Sequence, residues 1–492
     1  MEPVPGQREE ETEKKLINLL RGWPSTHVLP ADLLKTASAK VLSDPDIFVP
    51  GLQYGPEPGY QPLREELARF LSSYYDTEPD AERLCITGGA SQSMACLLQS
   101  FTEPVYTKAV WAVAPCYYLA CPIFEDSGFR GRLRAVPEDS EGVDLDFLEK
   151  GLRSFQEELD PDERPVYKDP NLRKIYRHVI YVVPSSANPS GKTMTLRRRE
   201  GLVRLAREYD CLVICDDVYD FLQWPVSSSV SDPLSSSSSI STTVPPLPRT
   251  KPLPRLADID RALGPSKHDA ARPDGRWFGH AISNGSFSKI VAPGVRTGWV
   301  EGTRDFALGT AQTGSTGSGG APSQLSATLV CEVMRRGDLA RHIDAVCRPG
   351  LQRRHGLLMR AVHEQLDRFG IEVLDGNLGG QGEGAGQPAT YGGYFVWITF
   401  PRGPAAKDIT ERAMRDENLI VPPGSMFEVK RDEETARFEK SIRLCFSWED
   451  EEDLVEGVAR LGRVVQSLWE GKPEEASQEG KASGHKTLAA FF

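Results

Sequence analysis

A single lysine with unusual neighbours is the residue of this chain best suited to covalent chemistry. Lys289 lies in the stretch 286–294, which reads SFSKIVAPG and surrounds the amine with small and apolar residues. Such surroundings disfavour the charged ammonium form, so the neutral amine becomes available as a nucleophile. The alternative is a buried strand and turn from which the lysine side chain reaches solvent.

Groups that could hold a phosphate dianion accompany this lysine. Ser286 and Ser288 supply hydroxyls, and Arg296 supplies a guanidinium seven positions after Lys289. Groups of these types bind phosphate through charge-assisted hydrogen bonds. An amine that can form a Schiff base beside a phosphate site is what pyridoxal phosphate (PLP) requires. The stretch therefore points to a PLP site, which other elements of the chain must position.

A glycine turn between an apolar strand and a helix is a second anion-binding feature. The strand predicted over 84–87 runs into the sequence GGASQ at 88–92 and then into a helical pattern. Free backbone N–H groups and the helix dipole suit this arrangement to an anion. Many such turns only cap a helix, and that interpretation stays open for the motif taken alone.

Further apolar strands end in polar side chains. These side chains, with the predicted strands that they follow, are Tyr117 (110–115), Asn188 (179–184), and Asp216, Asp217 and Tyr219 (211–215). Strands that alternate with helices form parallel sheets, and ligands bind at the carboxyl edge of such sheets. The sequence therefore predicts that these side chains lie together at one edge.

Length, charge and cysteine content exclude several other classes of protein. With 492 residues, 39% hydrophobic and 26% charged, the chain is long enough for one or two domains of an ordinary globular protein. A net charge of −12 argues against a general nucleic-acid binder. The nine cysteines show no CxxC pair, so neither disulfides nor a metal site is expected.

No targeting or membrane signal is evident in the sequence. No apolar run approaches the length that spans a bilayer. The first residues, MEPVPGQREE, lack the features of a signal or transit peptide. We therefore expect a cytoplasmic protein with reduced thiols that binds neither a membrane nor nucleic acid.

Two segments lack the pattern of a packed core. Residues 227–276 are rich in Ser and Pro and are expected to form a disordered insertion. The tail 471–492 is charged and rich in small residues, so disorder is expected there too. Its end, KTLAAFF, resembles the core of a sliding-clamp-binding peptide, although His485 stands where that motif prefers glutamine. An unstructured apolar end is the alternative.

Taken in chain order, these motifs resemble those of the class I and II aminotransferases, which are PLP enzymes of fold type I. The chain is similar in particular to the branch of kynurenine and 2-aminoadipate aminotransferases. The resemblance extends from about residue 17 to about residue 470. It rests on Tyr54-Gly55, Thr87 to Gln92, Asn188 to Gly191, Asp216 to Tyr219, Ser286 to Lys289, Arg296 and Arg443.

The resemblance implies an α/β fold with two domains. A large PLP-binding domain over 51–322 would contain a mostly parallel seven-stranded sheet flanked by helices. A smaller α+β domain would be built from both chain ends. Its main part would be 323–470, and 1–50 would pack on it.

The resemblance also implies roles around the PLP ring. Lys289 would form the Schiff base with PLP and then move the proton between the substrate Cα and C4′ of the cofactor. Asp216 would keep the pyridine nitrogen protonated, so that the ring can accept electrons. Asp217 would be a structural neighbour. Asn188 and Tyr219 would donate hydrogen bonds to the phenolate oxygen of the ring.

The phosphate and the substrate carboxylate would each have their own site. The resemblance implies that the phosphate contacts come from Ala90, Ser91, Gln92, Ser286 and Arg296. It also implies that Arg443 binds the substrate α-carboxylate through two hydrogen bonds from its guanidinium, assisted by Asn188 and Gly22. The alternative for Arg443 is a surface arginine that pairs with Glu449 or Asp450.

Aromatic residues would complete the site. By the same resemblance, Tyr117 stacks on the ring face, with Tyr118 as the alternative. Tyr54 resembles the tyrosine that reaches the phosphate from the partner subunit, which implies a homodimer with shared active sites.

The leading hypothesis is transamination. The amino group would move from an amino acid of the 2-aminoadipate, aromatic or kynurenine type to 2-oxoglutarate or another 2-oxo acid. C–S lyases and decarboxylases use the same scaffold and lysine and form an alternative. A PLP-free regulatory or binding protein is a third hypothesis. The intact set Lys289, Asp216, Tyr219, Asn188 and Arg443 argues against it.

Overall fold

Most of the chain folds into alternating strands and helices. The computed structural model describes residues 14–157, 173–226, 252–320, 322–377 and 389–471. Its strands are β1 (Ile17–Asn18), β2 (Leu84–Thr87), β3 (Ala109–Ala114), β4 (Leu133–Asp139), β5 (Gly142–Val143), β6 (His178–Val182), β7 (Cys211–Asp216), β8 (Gln223–Pro225), β9 (Ala281–Ser286), β10 (Gly298–Glu301), β11 (Glu372–Val373), β12 (Thr390–Gly392), β13 (Phe395–Thr399), β14 (Leu419–Ile420) and β15 (Ser441–Cys445).

Helices connect and cover these strands. The α-helices are α1 (Ala31–Ser43), α2 (Pro45–Leu52), α3 (Gln61–Tyr75), α4 (Ala90–Phe101), α5 (Ala120–Phe124), α6 (Leu145–Glu157), α7 (Leu196–Glu208), α8 (Leu256–Ala262), α9 (Lys267–Ala270), α10 (Arg304–Ala311), α11 (Gln324–Arg335), α12 (Asp338–His342), α13 (Arg348–Leu366), α14 (Ala406–Glu417) and α15 (Glu451–Trp469). Within the described ranges, no helix has the length and apolar character needed to cross a membrane. The cytoplasmic location stays a prediction.

The central sheet has the strand order β2-β10-β9-β7-β6-β3-β4-β5. The five strands from β9 to β4 are parallel, whereas β10 runs antiparallel to both of its neighbours. The mostly parallel α/β sheet predicted from the sequence is therefore confirmed. The two-residue strand β5 pairs antiparallel at one edge and extends the seven expected strands to eight.

Both faces of this sheet are buried, which explains its nearly continuous apolar strands. Because side chains alternate along a strand, Leu212 and Ile214 of β7 pack in one core, while Val213 and Cys215 pack in another. The same alternation directs Asp216, at the end of β7, toward the face of Leu212 and Ile214. The next residue, Asp217, lies toward the opposite face.

A smaller antiparallel sheet forms from the C-terminal part of the chain, in the order β11-β13-β15. The N-terminal segment is tied to this part. Strand β1 pairs in parallel with β14, and the backbone N–H of Cys445 donates to the carbonyl of Leu19 at 2.8 Å. This pairing brings Gly22, a few residues after β1, close to the carboxyl edge of the central sheet. The expected domain bounds stay predictions.

Residues 252–276 are folded, so the expectation of disorder throughout 227–276 is wrong for this part. They contain α8 and α9, and Arg255 is only 1% exposed. Asp260 accepts hydrogen bonds from the backbone of His280 and Ala281, next to strand β9. The expectation rested on the Ser and Pro content of the whole segment 227–276, whereas Arg255 and Asp260 in its second half are each buried with a partner. Residues 227–251 and the tail 472–492, with its clamp-like end, lie outside the described residues.

Candidate active site

A cavity of 260 Å³ lies at the carboxyl edge of the central sheet. Its lining comes from residues in or just after five strands of that sheet (β2, β3, β6, β7 and β9), from the segment after β1, and from strands β13 and β15. It brings together every site residue predicted from the sequence except Gln92 and Tyr54. The predicted residues that line it are Gly22, Ala90, Ser91, Tyr117, Asn188, Asp216, Tyr219, Ser286, Lys289, Arg296 and Arg443.

Lys289 follows β9 and extends its amine into this cavity. Its Nζ donates a hydrogen bond to the carbonyl oxygen of Gly22 at 2.8 Å and lies 4.9 Å from the ring centre of Tyr394. Burial lowers the pKa of Lys289 from 10.5 to about 8, although the nearby Cys445 and Asp216 oppose this shift. The amine thus lies in the cavity with a backbone hydrogen bond, rather than extending freely from the protein surface.

Asp216 presents a carboxylate to the same cavity. It is 9% exposed, and the hydroxyl of Tyr181 donates to its Oδ2 at 2.8 Å. Its Oδ1 is buried and accepts no hydrogen bond from the residues that the structure describes. Burial raises the pKa of Asp216 to about 6, against the hydrogen bond from Tyr181 and the charge of Lys289. An oxygen of this kind is available to accept a hydrogen bond from a bound molecule.

A cradle for an anion forms where the turn before α4 meets Arg296. The first N–H groups of α4, including those of Ala90 and Ser91, have no partner within the helix. Arg296 donates from Nη2 to the carbonyl of Gly88 at 2.8 Å and from Nη1 to Oγ of Ser288 at 3.3 Å. Gly89 has φ +101°, and a Cβ there would lie 2.7 Å from Nη2 of Arg296. Only glycine permits this close approach.

Two serines complete this cradle from the strand that delivers the lysine. The hydroxyl of Ser286 donates to Oγ of Ser288 at 2.9 Å and accepts from the backbone N–H of Ser288 at 3.1 Å. Ser286 is the last residue of β9, so the strand itself sets its position. The turn 88–91 thus meets one guanidinium and two hydroxyls at one end of the cavity.

Arg443 is buried on β15 at 2% exposure. Its Nη1 donates to Oδ1 of Asn188 at 2.9 Å, and its Nη2 donates to the carbonyl of Leu20. Its Nε has no acceptor in the described part of the chain. The guanidinium lies 4.0 Å from the ring centre of Phe395. The alternative of a surface arginine is therefore wrong, and a carboxylate in the cavity would complete its hydrogen bonds.

Besides Tyr181, three further tyrosines line the cavity wall. Tyr219 is buried, with its ring centre 5.4 Å from that of Tyr394. Tyr117 and Tyr118 both line the cavity, and their rings contact each other edge to face at 5.7 Å. Burial, Tyr118 and Asp216 all raise the pKa of Tyr117, so its hydroxyl stays protonated.

Two predicted residues do not line the cavity. Oε1 of Gln92 accepts from the backbone N–H of Gly88 at 3.0 Å, and its Nε2 lies 2.9 Å from Sγ of Cys96. This side chain therefore braces the glycine turn rather than facing the cavity. Tyr54 is 87% exposed on the surface of its own chain.

Three residues of the site were missed from the sequence. Tyr181 is the polar residue in the otherwise apolar end of β6, a signal that the strand pattern carries. Arg21 and Trp23 flank Gly22 in the lining, and the guanidinium carbon of Arg21 lies 4.6 Å from the ring of Trp23 and 5.2 Å from that of Trp448. Trp448 is distant in sequence, so this cluster could not be recognised before the chain folded.

The cavity fits PLP in each of its parts. Lys289 offers an amine to the aldehyde, and the unsatisfied Oδ1 of Asp216 offers an acceptor to the ring nitrogen. The turn before α4, with Arg296, offers donors to the phosphate. The fold and the cavity together define a PLP-dependent enzyme of fold type I.

Comparison with known proteins agrees with this class. The sequence profile described as Aminotransferase class I and II matches residues 25–461. An uncharacterised protein of Saccharomyces cerevisiae is 32% identical over 474 residues, 92% of this chain and 97% of the yeast protein. Aromatic-amino-acid aminotransferase 1 of Thermococcus litoralis is 24% identical over 452 residues, 92% of this chain and 88% of that protein.

A solved structure shows the same fold. The α-aminoadipate aminotransferase of Thermus thermophilus, complexed with N-(5'-phosphopyridoxyl)-L-leucine, superposes with a TM-score of 0.66 at 25% identity. The match covers 92% of this chain and 93% of that one. The chain belongs to the class I and II aminotransferases. It is a transaminase whose cofactor is PLP.

The lowered pKa of Lys289 predicts how PLP loading depends on pH. Only the neutral amine attacks an aldehyde, so the rate constant for PLP uptake by the apoprotein should rise with pH and level off above about 8. An ordinary lysine, with a pKa of about 10.4, would keep gaining rate up to that value. Stopped-flow absorbance at constant ionic strength measures this rate, with free Nα-acetyl-lysine as the control. A profile parallel to that of the free lysine would contradict the burial argument.

Proposed function

We propose that this transaminase moves the amino group of a 2-aminoadipate-type, aromatic or kynurenine-type amino acid to 2-oxoglutarate or another 2-oxo acid. The observation that carries the proposal is the placement of Lys289, Asp216 and Arg443 around one cavity. The names of two relatives, an aromatic-amino-acid aminotransferase and an α-aminoadipate aminotransferase, support this range of substrates.

Bound PLP supplies an aldehyde that condenses with amines and a ring that accepts electrons from the substrate Cα. Lys289 would act first as the attacking amine and then as the base that takes the Cα proton, because its lowered pKa keeps much of it neutral near pH 8. Asp216 would hold a proton on the ring nitrogen. Asn188 and Tyr219 would donate hydrogen bonds to the ring oxygen, and Tyr117 would cover one ring face.

Two arginines would recognise the ends of a dicarboxylic substrate. Arg443 is buried, with an unsatisfied Nε that suits the α-carboxylate of every substrate. Arg21 lines the same cavity, and its guanidinium lies within cation–π distance of both Trp23 and Trp448, whose rings contact each other. Its charge suits the distal carboxylate of 2-oxoglutarate or 2-aminoadipate, while the indole of Trp23 offers an apolar surface to aromatic side chains. One cavity could thereby accept both classes of side chain.

Replacing the lysine tests the reaction. When the PLP form is mixed with one amino acid and no oxo acid, we expect one equivalent of 2-oxo acid per site and loss of the Schiff-base absorption band. Lys289→Ala should slow this half-reaction by at least about 10²-fold, since a positioned acid–base group contributes that much or more. Lys440→Ala, which removes a surface lysine, is the matched control. Continued turnover with release of ammonia, or a wild-type rate in Lys289→Ala, would overturn the proposal.

The two arginines should differ in their selectivity. Arg443→Gln should raise KM for every amino-acid donor by at least about 30-fold, because truncating a buried charge pair costs about 2 kcal/mol or more. Arg21→Gln should raise KM for 2-aminoadipate and 2-oxoglutarate but leave KM for aromatic donors nearly unchanged. Steady-state kinetics with both donor classes measure the two effects. An equal rise for aromatic and dicarboxylic donors in Arg21→Gln would contradict its role.

Tyr54 supports a homodimeric assembly. It resembles the tyrosine that reaches the phosphate site of the partner subunit, and its side chain is 87% exposed and does not line the cavity of its own chain. A dimer mixed from Tyr54→Ala and Lys289→Ala chains would contain one site with both residues intact. We expect activity to appear on mixing two inactive variants, measured after subunit exchange. A 54.3 kDa monomer in sedimentation would contradict the assembly.

A further inference from the structure

The turn that follows Asp216 carries two buried carboxylates outside the cavity lining. Asp217 and Asp220 are both buried, and the backbone N–H of Asp220 donates to the carbonyl of Asp217 at 3.2 Å. Oδ2 of Asp217 and Oδ1 of Asp220 accept no hydrogen bond from the described residues. Burial and the neighbouring Asp220 raise the pKa of Asp217 well above its usual range. Because buried carboxylates are costly without partners, this turn depends on hydrogen bonds from other elements of the fold.

Helix α3 supplies that support through its last two residues. The hydroxyl of Tyr75 donates to Oδ2 of Asp220 at 2.7 Å. The hydroxyl of the preceding Tyr74 donates to the backbone carbonyl of Asp220 at 2.8 Å. The turn is therefore held through both a side chain and the backbone, by an element distant in sequence.

Tyr75 is held in turn by a buried cation. The guanidinium carbon of Arg255 lies 4.1 Å from the centre of the Tyr75 ring, at cation–π distance. Arg255 donates to Glu301 at 2.7 Å from Nη1 and to Asp258 at 2.7 Å from Nε. Because Glu301 ends β10 and Asp258 lies in α8, these bonds fix the guanidinium between the sheet and the segment 252–276.

We infer that Arg255 is a positioning residue for the cofactor site, acting through Tyr75 and Asp220 on the turn that presents Asp216 and Tyr219 to PLP. The positive charge of Arg255 also offsets the buried carboxylates beside Asp216. It opposes the rise in the pKa of Asp217, the neighbour of Asp216 in the chain. This inference rests on the proposed role of Asp216 and extends it to a segment that composition alone had assigned to disorder.

PLP binding to the apoprotein tests the inference without relying on turnover. Tyr75→Phe keeps the ring but removes the hydroxyl that holds Asp220, and Arg255→Gln removes the cation. Each should raise the PLP dissociation constant about tenfold, the size expected for loss of one buried charged or cation–π contact. Each should also weaken the visible circular dichroism of bound PLP, which reports how the ring is held.

The controls separate positioning from general stability. Arg261 pairs with Asp258 at 3.1 Å and lies 3.9 Å from Glu301. Arg261→Gln therefore removes a cation that faces the same two acids as Arg255 but is more exposed and does not contact Tyr75. It should leave PLP affinity within about twofold of wild type, as for most surface ion pairs. Arg255→Lys keeps a cation and should recover part of the affinity. The double variant, Tyr75→Phe with Arg255→Gln, should bind PLP almost as tightly as either single variant. Both residues act through the same chain of contacts, so their losses should not add.

Clear outcomes would overturn the inference. If the Tyr75→Phe and Arg255→Gln proteins fold and bind PLP like wild type, Arg255 does not act through Tyr75 on the cofactor site. The same conclusion would follow if the losses of PLP affinity in the two single variants multiplied in the double variant. If Arg255→Gln does not fold, Tyr75→Phe decides alone. The variant Asp216→Asn distinguishes failure of the proposed site from failure of this inference. Wild-type PLP affinity in Asp216→Asn would refute the assignment of Asp216 to the PLP site. A loss of affinity in Asp216→Asn, with wild-type affinity in Tyr75→Phe, would refute only the positioning role of Arg255.

Discussion

The parallel pairing of β7 with β9 is the constraint on which the rest of the site depends. In this register Asp216, the last residue of β7, pairs with Asn284, so β9 runs two residues further before Lys289 follows in the turn. A carboxylate and an amine separated by more than seventy positions in the chain thereby share one cavity. Burial then shifts both pKa values toward neutrality, to about 6 and about 8. The carboxyl edge of the sheet thus brings the two groups together, and their burial there shifts both pKa values into the range useful for acid–base chemistry.

Buried charge is the main cost of this arrangement, and the fold offsets it with partners from distant segments. Arg443 is held by Asn188 and by the segment after β1, while its Nε stays available for a ligand. Arg255 lies between Glu301, Asp258 and the ring of Tyr75, on the far side of the turn after β7. In both cases an arginine with hydrogen-bond partners from distant segments fixes an element of the site, because a misplaced buried cation would be costly.

Much of the fold and site could be predicted because the signals were local. Short apolar strands, each followed by a polar residue, placed Tyr117, Asn188 and Asp216 at one edge. Other features depended on partners far away in the chain. Residues 252–276 were expected to be disordered from the Ser and Pro content of 227–276, yet Arg255 and Asp260 are buried against acids and backbone groups that only folding supplies. Gln92 was predicted to contact the phosphate, but its side chain accepts a hydrogen bond from the backbone of Gly88 and stabilises the glycine turn instead.

The sequence by itself determined the class of chemistry: one lysine among apolar residues, hydroxyls with an arginine, a glycine turn before a helix, and an acid at a strand end. These signals survive without a structure because each lies within a few residues of the chain. Only the tertiary structure decided that Arg443 is buried rather than on the surface, that Arg21 lies against both Trp23 and Trp448, and that Tyr75 connects Arg255 to the turn after β7. Those facts depend on contacts between distant segments, which residue type and spacing do not encode.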